Sequence, residues 1–208
     1  MADTSSVAYG NLAGRARRLQ LLTVAWMAVE AVVSLAAAWT AKSPALGGFG
    51  GDSVIELASG IVVLRRFSKT NGTAGLSEKT AARIAGGLLF CVAIFIGASS
   101  TFALLGYYEP RPTVIGIALL SVAALGMPWL AHEKRKLAAS LSSPALKADA
   151  AESSLCGYLS WIALTGLVAN AVFRASWADP IAALLLLPLV VREGWQAVHA
   201  SGLGCGCD

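Results

Sequence analysis

Asp52 and Glu56 are the residues whose type and spacing most directly permit chemistry. They stand four apart in Gly50-Gly51-Asp52-Ser53-Val54-Ile55-Glu56. On a helix both carboxyls therefore leave one face. Two bare carboxylates so placed repel each other, and a bound cation or protons would relieve that repulsion. A second pair follows in Lys147-Ala148-Asp149-Ala150-Ala151-Glu152-Ser153-Ser154-Leu155-Cys156. Glu152 and Cys156 are again four apart, with Asp149 one turn before Glu152. If the two helices face each other, Asp52, Glu56, Glu152 and Cys156 converge. Three carboxylates and one thiol can form a four-coordinate shell for a divalent ion. The thiol leans toward Zn, Cd or Co and the carboxylates toward Mn, so ligand softness does not choose among Zn, Cd, Co, Fe and Mn. The plainer alternative for a lone acid is a hydrogen bond to a neighbouring helix.

The elements that must position these residues are apolar. The chain has 208 residues, 56% hydrophobic and 13% charged, with a mean hydropathy of +0.67. A soluble domain carries about 25% charged residues. Six segments are long enough to span a bilayer, each about 20 residues or more. They run approximately Leu19–Thr40, Leu46–Leu64, Ile84–Leu105, Thr113–Ala131, Ala145–Phe173 and Asp179–His199. Long continuous apolar runs mean helices, because spanning strands alternate over short segments. The expected fold is an all-α membrane protein, a six-transmembrane-helix bundle over residues 19–199. Residues 1–18 form a cytoplasmic N-terminal segment and 200–208 a short cytoplasmic tail. Thirteen of the sixteen Lys and Arg residues fall on the side of the two termini. Lys42, Arg111 and Arg174 fall on the other. That bias puts both termini in the cytoplasm. Trp39, Tyr107, Tyr108 and Trp177 suit an aromatic belt at the outer ends. The net charge of +4 is explained by these edges, so no nucleic-acid partner is expected.

An ionisable group near the bilayer centre costs roughly 2.5–3.5 kcal/mol, which marks the acidic pairs as functional. Their placement resembles that of the cation diffusion facilitator family. Asp52-Ser-Val-Ile-Glu56 resembles its second-helix metal motif, an acid, three residues and an acid. Ala148-Asp149-Ala-Ala-Glu152-Ser-Ser-Leu-Cys156 resembles its fifth-helix motif, where a His and an Asp stand four apart after an Ala-Asp pair. Asp179-Pro-Ile-Ala-Ala183, with Glu193-Gly194 beyond, resembles its sixth helix. Glu152 stands where the family has its His and Cys156 where it has its Asp. The resemblance covers about residues 20–199. It implies a secondary transporter that moves a divalent transition metal, zinc foremost, out of the cytoplasm in exchange for protons. It also implies a homodimer, with helix three involved. Only nine residues follow helix six, so the family's metal-binding C-terminal domain is expected to be missing.

Two further readings use the same residues: a non-transporting membrane scaffold or metal sensor, and a proton-coupled exporter of a small organic cation. The thiol of Cys156 favours metal, since an organic cation does not need it. Neither a nucleotide-binding glycine loop nor a nucleophile with an orienting base is apparent, so no enzyme is expected.

Among the remaining features, Glu30 in helix one suits either a proton relay or an interhelical hydrogen bond. Cys205 and Cys207 suit a frayed tail, and Cys91 an apolar filler. His132-Glu133-Lys-Arg-Lys136 is expected to form a loop after helix four, as a topology signal at the headgroups. Asp179 is expected to begin helix six. Gly86, Gly87, Gly97, Gly157 and Gly166 permit close helix approach, within the chain or at a dimer seam.

Overall fold

The computed structural model describes residues 3–68, 78–141 and 144–200. The tail with Cys205 and Cys207 and the connection 69–77 lie outside the described residues. Within them the chain forms six helices: α1 (Asp3–Ala41), α2 (Pro44–Ser68), α3 (Glu78–Leu104), α4 (Val114–Leu141), α5 (Pro144–Phe173) and α6 (Ala178–Ala200). Local sequence marks several ends. Lys42 at φ 51° and Arg174 at φ 53° follow α1 and α5 in the left-handed conformation that closes a helix C-terminus. Pro44 opens α2, where its missing N–H costs nothing.

Two expectations about boundaries change. α1 starts at Asp3, so the polar N-terminal stretch continues the first helix. α4 runs to Leu141, so His132–Lys136 is helical and not a loop. The segment from His132 to Leu141 contains no Gly or Pro and is rich in Lys, Arg, Glu, Leu and Ala, all strong helix formers.

The bundle is apolar outside, and its largely apolar interior also holds polar and charged side chains. Trp39, Ile94, Val114, Leu125 and Val172 are exposed, as lipid-facing residues would be. Gln20, Glu30, Asp52, Glu56, Lys134 and Asp149 are buried. Spans in α1, α3, α4 and α5 are long and apolar enough to cross a membrane. Asp52 and Glu56 lower the hydropathy of α2, as Asp179, Arg192 and Glu193 lower that of α6.

The helices pack most closely as three pairs: α1 with α2, α3 with α6 and α4 with α5. Glycines line all three contacts, with Gly50 of α2 set against Ser34 and Leu35 of α1. A Cβ on Gly157 would meet Pro128 of α4 at 3.1 Å, and one on Gly86 would meet the Gly194 carbonyl of α6 at 2.8 Å. These glycines, with Gly166 against Ala182, serve packing within the chain, while Gly87 faces open space. The apolar core includes Met27, Phe49, Ile96, Leu120, Leu159 and Leu186.

Contacts define the two ends of the bundle. At the end of the termini, Gln20 of α1 reaches Gly60 of α2 and Asp149 of α5. At the far end, the Ser43 hydroxyl donates to Asp179 Oδ2, and the Ala45 N–H donates to Asp179 Oδ1 at 3.1 Å. Asp179 lies in the first turn of α6, as expected, and its carboxylate pins the α1–α2 corner.

Candidate metal centre

α2 and α5 run in opposite directions and touch along the middle of the bundle. Their register decides which side chains meet. Asp52, Glu56 and Cys156 each offer one ligand atom, and these atoms all lie within 4.8 Å of one another. Atoms bonded to one zinc sit about 2.0–2.3 Å from it, so any two are at most about 4.6 Å apart. The three residues are 7%, 6% and 0% exposed.

Glu152 is not part of this group. One turn before Cys156, it lies level with Ser59 and accepts that hydroxyl's hydrogen bond at 3.0 Å. Of the four residues expected to share an ion, the fold brings three together and sets Glu152 beside them, half-buried.

Glu30 stands at the opposite edge of the group. Its Oε1 accepts from Ser53 Oγ at 2.8 Å and faces Cys156 Sγ at 3.4 Å, while Oε2 accepts from Trp26 Nε1 at 2.7 Å. It both bonds neighbouring helices and borders the ligand atoms. Glu193 of α6 lies beside Asp52. Glu56 accepts from Ser153 Oγ at 3.2 Å.

Acidic groups outnumber basic ones around the centre. Asp52 feels the carboxyls of Glu30, Glu152 and Glu193. The cation acting on Glu56 is Lys134, which is engaged with Asp149. In a medium of low dielectric, such a surplus favours a divalent cation or protons.

A model of the cation efflux transmembrane domain matches residues 21–203. The chain belongs to the cation efflux family. No curated protein matches it at a significant level. The matched span holds the apolar part of α1, all of α2–α6 and every acidic residue of the centre. These are the cation diffusion facilitators to which the α2 and α5 motifs pointed. The family transports metal cations across membranes. This member is accordingly a multi-pass integral membrane protein and a cation transporter, with a metal ion as substrate.

Two residues beside the centre escaped the sequence. Glu193 was visible only as part of the α6 resemblance, since nothing local aims it at Asp52. Lys134 was hidden in a basic run that reads as a headgroup anchor. Its burial depends on α4 continuing and on Asp149 arriving from another helix.

Proposed function

We propose that this cation efflux protein exports a divalent transition metal from the cytoplasm in exchange for protons, with zinc as first candidate. Asp52, Glu56 and Cys156 hold the ion midway. The convergence of two carboxylates and a thiol from two helices within 4.8 Å carries this reading. A sulfur ligand suits zinc, cadmium or cobalt. It also favours metal over an organic cation. The bias of basic residues puts the termini end in the cytoplasm. Glu152 then lies on the approach from that side, and an ion meets it before the three ligands.

Exchange follows from ligand chemistry. Carboxylates and a thiol bind metal only after losing their protons, so metal and protons compete for one set of atoms. When the centre opens to the far side, protons displace the ion and reload the site. The working unit is a homodimer through α3, whose outward face carries Leu88, Ile94, Phe95 and Phe102. Light scattering of the detergent-solubilised protein checks the dimer.

Proteoliposomes test the function. Zinc flux should be accompanied by an opposite movement of protons, reported by a dye in the lumen. Asp52→Ala should abolish both. Undiminished flux in that variant would overturn the site, and flux without a pH change would overturn proton exchange.

A further inference from the structure

We propose that Lys134 of α4 is a positioning residue for the metal centre, acting through Ser153 on Glu56. This inference rests on the assignment of Glu56 as a ligand.

The argument is one of donors and acceptors. An ammonium has three hydrogens to give and accepts none. Lys134 is fully buried, with Nζ 2.6 Å from Asp149 Oδ2 and 2.8 Å from Ser153 Oγ. Ser153 Oγ must therefore turn a lone pair toward Lys134. Its single hydrogen is left for Glu56 Oε1, 3.2 Å away. Lys134 thus fixes the direction of a hydrogen bond into Glu56, and with it the rotation of a carboxyl whose oxygens must meet the ion.

The base of this relay is itself held. Asp149 Oδ1 accepts from Gln20 Nε2 at 3.2 Å, and Gln20 also reaches the Gly60 carbonyl. An ion pair this deep adds little net stability over well-packed apolar residues. Stability alone therefore leaves the pair unexplained. Outer partners that orient metal ligands commonly tune affinity. A relay that starts from a full positive charge also polarises the serine hydroxyl.

The test is a mutant cycle read by zinc titration of the purified full-length protein in detergent. The variants are Ser153→Ala, Lys134→Met with Asp149→Asn, and the triple combination. The paired change removes both charges, so neither is left buried alone. Ser153→Ala keeps the ion pair and removes only the hydroxyl, and thermal unfolding confirms that it is folded. Ser153→Ala should weaken zinc binding about tenfold or more. The double variant should lose a similar factor and the triple no more than either. A merely structural role for Lys134 would instead give losses that multiply. Wild-type affinity in Ser153→Ala, or multiplied losses in the triple, overturns the relay. If the wild type binds none of Zn, Cd, Co and Mn, the metal-centre reading fails and takes this inference with it.

Discussion

Cys156 Sγ lies 3.4 Å from Glu30 Oε1, the same oxygen that receives the Ser53 hydroxyl at 2.8 Å. A hydroxyl in place of the thiol could still donate to Glu30, but it would be a hard ligand. Cys156→Ser should therefore keep the fold and change the metal preference. Affinity for zinc and cadmium should fall about tenfold or more, with a smaller loss for manganese. Calorimetric titration with Zn, Cd, Co and Mn reads this directly. An equal loss for all four would show that sulfur does not set the preference.

Glu56 and Glu152 are both acids of the two i, i+4 pairs, yet the fold treats them differently. Glu56→Gln should eliminate saturable metal binding. Glu152→Gln should weaken it by no more than about tenfold, in the range of residues beside the ligands. Comparable loss in both variants would return Glu152 to the coordination shell.

Acid should weaken binding and alkali strengthen it. The metal-bound form has released protons that the free form carries, so raising pH favours the bound state. Plotting the logarithm of zinc affinity against pH gives a positive slope equal to the number of protons displaced. A flat profile between about pH 6 and 8 would remove the basis for proton exchange.

Breaking the Lys134–Asp149 pair on one side should damage the fold more than removing it entirely. Asp149→Asn strands a buried ammonium, a loss of about 3–5 kcal/mol. Adding Lys134→Met should recover most of it. Unfolding temperatures of the two variants in one detergent give the comparison.

Gly157→Val should also destabilise, because its first side-chain carbon would press on the Pro128 ring from 3.1 Å. Overpacking of this kind costs about 1–3 kcal/mol. Gly126→Ala is the control, since nothing lies within 4 Å of its added carbon.

Much of this was legible in the residues. Continuous apolar runs located the helices. The i, i+4 spacing placed Asp52 with Glu56 on one face, and the α5 stripe met them through Cys156. What could not be read was the relative height of two helices. Four residues rise about 6 Å along a helix axis, so a modest slide decides whether Glu152 faces Glu56 or Ser59. The partners of Lys134 and Glu193 were hidden for a similar reason. Each contact joins segments distant in sequence, and neither leaves a local pattern.

The tight helix pairs have one more consequence. Glycine-lined contacts weld α4 to α5 and α3 to α6, and α1 lies closest to α2. The three ligand atoms straddle the divide between the α1–α2 hairpin and the α4–α5 hairpin. A sideways creep of one hairpin past the other would part the sulfur from the carboxylates while keeping each hairpin whole, and would break the Ser59–Glu152 and Gln20–Asp149 bonds between them. Letting go of the cargo would then cost a handful of polar contacts between the hairpins rather than the packing within them.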